Sequence, residues 1–285
     1  MNSSNISIIG HVTSFVSFVF VTANLFLWFP LLLLAAIVRF VVPVGIVEKA
    51  TYQVVDSVYR LAVNIDAWWI SNVLGIELEI EDHMDVLSSL AHSESPVVIC
   101  NHQSWFDIFL LQTLISGRGP ILKFVIKVEL LWVPVLGWIC LALKFPRLIR
   151  KGDVRSRSKD LNSVESASLT LGKEPGGLLI FPEGTRFSEE KRVVRCSPYL
   201  HLLRPKAGGL SVIQKSMSES TRILDISIRY NPGDANCWRC MSSAVDKIQV
   251  KVESFQLQDV KDATDWLNQR WSVKDTWLAS HQTIL

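Results

Sequence analysis

The sequence predicts an α/β fold with membrane-associating helices at its N-terminus. After residue 75, short apolar runs rich in β-branched residues alternate with helical stretches, which is the pattern of an α/β domain. The preceding part is far more apolar, and the mean hydropathy of the chain, +0.27, is high for a soluble protein. We therefore divide the 285 residues into a membrane anchor with an amphipathic interfacial helix, 1–75, and one globular domain, 76–285.

The stretch 6–38 contains no Asp, Glu, Lys or Arg, and His11 is its only titratable side chain. As a helix it would be roughly 50 Å long, which exceeds the ~30 Å hydrocarbon core of a bilayer. Pro30 and Pro43 each lack a backbone donor, so we expect a tilted or broken helix rather than a straight rod. A cleaved signal peptide is disfavoured, because no basic region precedes the apolar run and the run is too long.

The next segment, 48–74, has the period of an amphipathic helix. Asp56 and Arg60 lie opposite a face formed by Val54, Val58, Leu61, Ile65, Trp68 and Trp69. Two tryptophans beside a membrane anchor favour a helix that lies along the lipid headgroups. A helix that faces the core of the globular domain is the alternative.

The globular domain begins with an alternating strand at 76–80. Further strands are predicted at 97–100, 121–126, 178–181, 224–230 and 247–253, and helices at 107–114 and 160–171. The tail, 264–280, is predicted to be a helix with its N-cap at Thr264. Its three tryptophans are interpreted as packing residues: Trp266, Trp271 and Trp277.

Charge and cysteine content limit the possible partners. The net charge is only +2, but basic residues concentrate in 144–159 and 191–206, where an anionic lipid surface, a phosphate ligand or a solvated face would each explain them. Nucleic acid binding is disfavoured, because there is no known motif and no aromatic platform among the basic residues. The five scattered cysteines indicate no disulfide framework, and Cys237 and Cys240 lack the second pair that a zinc site needs, so no metal is expected.

Two short motifs carry the chemistry: NHQSWFD at 101–107 and FPEGTR at 181–186. Both follow apolar, β-rich runs, and loops at the ends of such strands often carry functional residues. His102 and Asp107 are five residues apart, so on one continuous helix they would point roughly 140° away from each other. They can meet only across a strand-to-helix corner. There the carboxylate can orient the imidazole, which then removes a proton from a hydroxyl; a purely structural His–Asp pair is the alternative.

The second motif is suited to phosphate. Gly184 permits a tight turn after Pro182, which leaves Arg186 free to present its planar guanidinium to a phosphate in a bidentate way. Glu183 is expected either to hold that guanidinium or to orient the acceptor. The alternative is a surface salt bridge at the end of a strand.

The two motifs resemble the NHxxxxD and EGTR boxes of the 1-acylglycerol-3-phosphate O-acyltransferase family of glycerolipid acyltransferases. The stretch KVELLWVPVLGW at 127–138 and Arg150 are similar to a further block of that family, so the resemblance covers about 96–230. It implies a mixed central sheet flanked by helices, with His102 as the base and Asp107 as its partner. It also implies that the glycerol phosphate of the acceptor is bound by Lys127, Arg150, Glu183, Gly184, Thr185 and Arg186.

One stretch departs from the pattern of the family. Many members have prolines in a strand that corresponds here to RILDISIRYNP, at 222–232. Together with LRPKAGGL at 203–210 and WLNQRWSVKD at 266–275, this stretch is more similar to the lysocardiolipin acyltransferase-like branch. The head group of the acceptor therefore stays open.

The resemblance implies a membrane-bound enzyme without a cofactor, whose catalytic domain is on the cytoplasmic face. An acyl group would pass from acyl-CoA or acyl carrier protein to the free hydroxyl of lysophosphatidate, or of another lysophospholipid, without a covalent enzyme intermediate. A membrane lipid hydrolase with Ser104 as its nucleophile is disfavoured, because the chain has no GxSxG motif. A lipid-binding scaffold without activity is disfavoured by the intact His102, Asp107 and Arg186.

Overall fold

The structure is a computed structural model that describes residues 6–42, 44–117, 119–124, 126–127, 137, 145, 147–148, 164–165, 168–169, 176–233 and 236–280. Arg150 and most of 127–138 lie outside the described residues. The predicted helix at 160–171 is described only at 164–165 and 168–169, which are helical.

A mixed sheet is the centre of the described part of the chain after residue 76, which we call the sheet domain. The described strands are β1 Glu77–Glu81, β2 Val97–Cys100, β3 Leu122–Phe124, β4 Ile126–Lys127, β5 Arg147–Leu148, β6 Gly177–Ile180, β7 Arg222–Asn231 and β8 Lys247–Gln256. Six of them form one sheet in the order β1-β8-β7-β2-β6-β3, while β4 and β5 pair separately. Only β7 and β8 are antiparallel among these pairs, so the predicted mixed α/β sheet is confirmed.

The central strands are covered on both faces. All four residues of β2 are buried, as expected for a continuous apolar run in the middle of a parallel sheet. Val98 and Cys100 belong to one hydrophobic core, and Val97 and Ile99 belong to the core on the opposite face. Successive side chains of one strand thus stabilise both layers.

Helices cover both faces of the sheet and precede it. The described helices are α1 Ile8–Val41, α2 Gly45–Asn72, α3 Phe106–Leu111 with a π-helical turn at Gln112–Ser116, α4 Glu189–Val194, α5 Gly208–Ser216, α6 Cys237–Cys240 and α7 Ala263–Ser280. α3 contributes to the same core as Val98, whereas α5 and α7 contribute to the core of Val97.

The C-terminal helix α7 begins earlier than predicted. Asp262 Oδ1 accepts the backbone N–H groups of Thr264 at 2.8 Å and Asp265 at 2.9 Å, so Asp262 supplies the cap and the predicted N-cap at Thr264 is wrong. Asp competes well with Thr as a capping residue, and here it comes first in the chain. The packing role of the tryptophans is confirmed, because all three are buried: Trp266, Trp271 and Trp277.

The first helix is not broken. α1 continues through Pro30 to Val41, and the chain turns before Gly45, so the expected break within the apolar run occurs only at its end. Pro30 removes a single hydrogen bond from a helix of 34 residues, and α1 packs along α2, which supports it. By length and composition alone, α1 could cross a membrane.

The inner side of α1 is polar in its first half. Ser14 Oγ donates to the carbonyl of Trp238 at 2.8 Å, and Ser17 Oγ donates to the carbonyl of Met241 at 3.2 Å. Asn24 Nδ2 donates to Asp66 Oδ1 of α2 at 2.9 Å. The outer side carries large exposed apolar residues, among them Ile8, Phe15, Phe18, Phe26, Leu27, Leu34 and Phe40.

α2 packs against the sheet domain with apolar as well as polar residues. Ile70 belongs to the core of Val98, and Val58 belongs to a cluster with Ile121. Arg60 Nη1 donates to the carbonyls of Ser116 and Gly119, each at 2.7 Å, while Asp56 holds the same guanidinium at 2.8 Å. Arg60 thus satisfies carbonyl groups at a helix end that have no helical partner. The opposite side leaves three of the predicted apolar residues exposed: Val54, Leu61 and Trp68.

Candidate active site

Three neighbouring parallel strands end at one edge of the sheet. β6, β2 and β7 are adjacent, and β2 runs parallel to both of the others. The first motif follows β2, the second motif follows β6, and Tyr230 is the penultimate residue of β7. Ligands of open α/β sheets bind at such carboxyl edges, so this edge is the candidate site.

His102 and Asp107 meet at the corner between β2 and α3. Asp107 is in the first turn of α3 and fully buried, and its Oδ2 is 2.8 Å from His102 Nδ1. The same oxygen accepts the backbone N–H groups of Gln103 at 2.8 Å and Ser104 at 3.0 Å. The contact between Asp107 and His102 fixes the proton on Nδ1, which leaves Nε2 as an acceptor.

Tyr230 completes the shell of Asp107 from the neighbouring strand. Its hydroxyl donates to Asp107 Oδ1 at 2.5 Å, and the ring is buried. Burial and the adjacent Asp107 raise the pKa of Tyr230 well above its usual value, so the phenol keeps its proton and acts as a donor. The two motifs do not include Tyr230; the one signal for it in the sequence is its position in an alternating strand, on the same face as Leu224, Ile226 and Ile228.

Asn101 fixes where β2 ends. Its side-chain Nδ2 donates to the carbonyl of Ile228 at 2.9 Å, and its Oδ1 accepts the N–H of Ile228 at 2.8 Å. The amide thereby continues the pairing of β2 with β7 one residue beyond Cys100, which pairs with Ile226. This places His102 directly at the edge of the sheet. The motif contained Asn101, but its spacing alone gave no reason for this role.

Aromatic rings hold the imidazole in place. Phe181 stacks on His102 with ring centroids 4.0 Å apart and planes 18° apart, and Trp105 approaches edge-on at 6.5 Å. The side chain of His102 is 12% exposed, and no residue in the described part of the chain bonds its Nε2. Nε2 is therefore the ring nitrogen that has no partner among the described residues.

Glu183 ties the two motif loops together. Its Oε1 accepts the N–H of His102 at 3.1 Å and its Oε2 accepts the N–H of Leu203 at 2.9 Å, and the side chain is fully buried. The N–H of Phe187 also donates to the carbonyl of His102 at 2.7 Å. The expectation that Glu183 holds the guanidinium of Arg186 is wrong, because both of its oxygens bind backbone. Burial raises the pKa of Glu183 to about 8.

The turn after Glu183 carries cationic groups that share a neighbour with the imidazole. The backbone φ of Gly184 is +69°, a conformation that residues other than glycine rarely adopt. The guanidinium of Arg186 lies over the ring of Trp105, 5.3 Å from its centroid. Lys191 Nζ donates to the carbonyl of Arg186 at 2.8 Å and contacts Thr185 Oγ1 at 3.4 Å. His102 and Arg186 thus share Trp105 as a neighbour.

Two predicted site residues cannot be placed by their side chains. Lys127 lies in β4, of which the structure describes the backbone, and Arg150 lies outside the described residues. Among the residues that the structure does describe, no group of three or more His, Cys, Asp or Glu side chains could hold a metal ion.

Comparison with known proteins identifies the family. Residues 82–230, more than half of the chain, match the family model described as Acyltransferase. The chain belongs to the acyltransferase family. The resemblance to the 1-acylglycerol-3-phosphate O-acyltransferases that the two motifs indicated is thereby confirmed.

Several relatives of this acyltransferase have names that include a substrate. The 1-acyl-sn-glycerol-3-phosphate acyltransferase of Pseudomonas aeruginosa is 34% identical over 140 residues, which are 48% of each chain. The mouse enzyme named epsilon is 22% identical over 80% of this chain and 68% of its own. An uncharacterized acyltransferase of Schizosaccharomyces pombe is 24% identical over 68% of this chain. The matched part spans 61% of that yeast protein and 32% of a Cocos nucifera relative, so it is less than two thirds of either.

A solved structure shares the fold of this acyltransferase. The crystal structure of PlsC, the 1-acyl-sn-glycerophosphate acyltransferase of Thermotoga maritima, has a TM-score of 0.57 and 16% sequence identity. The alignment covers 94% of this chain and 97% of that one. The fold predicted from the sequence is confirmed by this similarity.

Proposed function

We propose that this acyltransferase transfers a fatty acyl group from an acyl thioester to the free glycerol hydroxyl of lysophosphatidate, and so makes phosphatidate. The observation that carries the proposal is the 2.8 Å contact of His102 Nδ1 with Asp107 Oδ2 at an edge where Nε2 has no partner among the described residues. Relatives named for this reaction, at up to 34% identity over about half of the chain, support it.

His102 is the general base in this reaction. Nε2 removes the proton of the glycerol hydroxyl while the hydroxyl oxygen forms a bond to the thioester carbonyl carbon. Asp107 stabilises the imidazolium that results. When the tetrahedral intermediate collapses, the carbon–sulfur bond breaks, and the imidazolium returns its proton to the leaving thiolate. The proton of the glycerol hydroxyl thus ends on the thiol that leaves, and no covalent enzyme intermediate is needed.

The phosphate of the acceptor binds at the turn that follows β6. Arg186 is the main ligand, because its planar guanidinium suits bidentate contact with phosphate and lies beside Trp105, next to His102. Gly184 and Thr185 shape this turn, and Lys127 and Arg150 add positive charge. Glu183 acts indirectly, because its carboxyl group joins the loop of His102 to that of Leu203.

The membrane supplies the acceptor and retains the product. In this proposal residues 1–75 attach the enzyme to the bilayer through the exposed apolar sides of α1 and α2, and residues 76–285 catalyse the reaction on the cytoplasmic face. Acyl-CoA or acyl carrier protein approaches from the aqueous side. The reaction uses no cofactor.

The test is an assay of the full chain in lipid vesicles with acyl-CoA and lysophosphatidate. We expect phosphatidate and free CoA in equal amounts, and parallel reactions with acyl carrier protein compare the donors. Release of fatty acid without phosphatidate would show a hydrolase instead. Lysocardiolipin and other lysophospholipids are tested as acceptors in the same way; preference for one of them over lysophosphatidate would overturn the acceptor, and no transfer to any of them would overturn the reaction.

A further inference from the structure

The Asp107 carboxylate is held by more donors than the two sequence motifs supply. Oδ2 accepts His102 Nδ1 and the backbone N–H groups of Gln103 and Ser104, all from the corner between β2 and α3. Oδ1 accepts the hydroxyl of Tyr230, which lies 123 residues further along the chain. This bond comes from a different strand and from outside both motifs.

The position of the Tyr230 hydroxyl is fixed by the sheet. Tyr230 pairs with Ile248 in β8, and the neighbouring Ile228 is held on its other side by the side chain of Asn101. The ring is buried in the core that also contains Phe106 and Leu110 of α3. The hydroxyl is therefore a fixed donor to the carboxylate oxygen that the imidazole does not contact.

We infer that Tyr230 is a positioning residue of this acyltransferase: its hydroxyl holds Oδ1 of Asp107, so that Oδ2 stays directed at Nδ1 of His102 and the carboxylate charge is shared between two partners. This inference rests on the proposed role of His102 as the base. It concerns a residue that contacts no substrate, because Tyr230 is buried behind Asp107.

The shared charge has a predictable effect on the imidazole. A carboxylate that gives part of its charge to a phenol attracts the Nδ1 proton less strongly, so removal of the phenol hydroxyl strengthens the bond between Asp107 and the imidazole of His102. Other titratable groups that face this shell, the thiols of Cys100 and Cys240 and the carboxyl of Glu183, have their pKa values raised by burial. These groups, together with Arg186, are the same in wild type and variant, so the difference between the two reports the hydroxyl.

The experiment compares the wild type with Tyr230→Phe in vesicles, over a range of pH. We expect kcat to fall about tenfold while the KM for lysophosphatidate stays within twofold, because the geometry of the base changes and the acceptor site does not. The acidic limb of kcat/KM should move upward by about half a pH unit. A wild-type pH profile in the variant would overturn the inference.

A matched control is available in the same fold. Tyr199 is also buried, and its hydroxyl donates to the carbonyl of Asn268 in α7 at 3.3 Å rather than to a residue of either motif. Tyr199→Phe removes one hydroxyl from a buried ring as well, and we expect unchanged kcat and an unchanged pH profile. An equal loss of kcat in both variants, without a shift of the profile in either, would show a merely structural role for Tyr230.

Two further measurements separate this inference from the proposed function. The Nδ1 proton of His102 is followed by NMR in the wild type and in Tyr230→Phe, and its resonance should shift in the variant whether or not lysophosphatidate is the acceptor. If Tyr230→Phe does not fold, a fluorinated tyrosine at position 230 keeps the shape and donates more strongly, so the same resonance should shift in the opposite direction. An unshifted imidazole would refute the role of Tyr230, whereas a shifted imidazole in a protein that transfers nothing would refute only the proposed reaction.

Discussion

The first half of α1 and the central strand β2 bury opposite kinds of side chain. The inner side of α1 is formed by Ser14, Ser17 and Asn24, while its outer side exposes Phe15 and Phe18, each at 62%. β2 instead buries four apolar residues in succession. An apolar outer side with a polar inner side is typical of helices that meet lipid, where polar groups are tolerated only towards protein partners.

In α1 and in the sheet domain around β2, buried polar groups are nevertheless paired with backbone. Ser14 and Ser17 donate to carbonyl groups at α6, and Glu183 accepts backbone N–H groups from two loops. In α1 these bonds attach the helix to the sheet domain, and in the sheet domain they attach one motif loop to the other. A buried polar group without such a partner would reduce the folding stability by about 1–3 kcal/mol. Each bond therefore favours one arrangement of the two segments that it joins.

The largest effect is expected from a change that removes the proposed base and leaves the apolar surfaces of α1 and α2 intact. His102→Ala should lower kcat at least about a thousandfold, because no other described group takes the place of Nε2 as a base. Binding to vesicles should equal that of the wild type, since α1 and α2 are unchanged. Activity is measured as phosphatidate formed, and binding by cosedimentation. Activity within tenfold of the wild type would exclude His102 as the base.

Most of the sheet was predictable because its strands are continuous apolar runs with clear ends. The predicted strand at 97–100 coincides with β2, which Pro96 precedes and Asn101 follows. The predicted His102–Asp107 contact was also accessible, because a spacing of five residues excludes one helix and requires a corner. These features depend on neighbours in the chain.

What depends on distant parts of the chain could not be predicted. The bond from Tyr230 to Asp107 requires β7 to lie beside β2, and strand order is not encoded in either segment alone. The role of Glu183 depends on its burial against the loop of Leu203, which the sequence does not show, so one of the two roles expected for it, holding the guanidinium of Arg186, was wrong. The polar inner side of α1 could not be predicted for the same reason. Serine and asparagine occur within apolar helices, and the sequence does not show which groups they bond.

The reciprocal change puts charge on the outer side of α1. The double variant Phe15→Glu and Phe18→Glu should weaken binding to vesicles about a hundredfold or more, because each glutamate would have to leave water for an apolar environment. Transfer to a short-chain, water-soluble lysophosphatidate should stay within about twofold, since the site at the carboxyl edge of the sheet is unchanged. Vesicle cosedimentation and the soluble assay measure the two effects separately.

The control for this variant keeps both positions apolar. Phe15→Leu with Phe18→Leu should bind vesicles almost as strongly as the wild type, because the exposed surface remains apolar. Unchanged binding of the glutamate variant would mean that the outer side of α1 does not meet lipid, and the contrast between α1 and the sheet domain would then need another explanation.

A smaller effect is expected from Glu183, the buried carboxyl of the sheet domain. Because its pKa is raised from 4.5 to about 8 on folding, the protonated form favours the folded state, and this contribution is lost as the pH rises through about 8. Glu183→Gln cannot titrate, and its amide can accept only one of the two N–H groups, so it should be about 2 kcal/mol less stable at pH 5. The difference in unfolding free energy, measured with urea, should shrink between pH 5 and pH 8.5.

The comparison variant for Glu183 is Glu190→Gln, a change at an exposed residue of α4. It should leave both the stability and its pH dependence close to those of the wild type. If the stability gap between the wild type and Glu183→Gln were the same at both pH values, the carboxyl group would titrate alike in the folded and unfolded chain.

The smallest effect is expected from Arg186→Lys, which changes the shape of a cationic side chain but not its charge. Arg186→Lys keeps the positive charge but loses the planar fork and the face that lies over Trp105. The KM for lysophosphatidate should rise about tenfold with kcat within twofold, because binding is weakened and the base is not moved. Arg192→Lys is the matched control, since Arg192 pairs with Glu189 on the surface of α4 and should show no change in KM. An equal KM for lysophosphatidate in both variants would show that other cationic residues bind the phosphate of the acceptor. The apolar surface of α1 would then be the part of the molecule that determines how the acceptor reaches the enzyme.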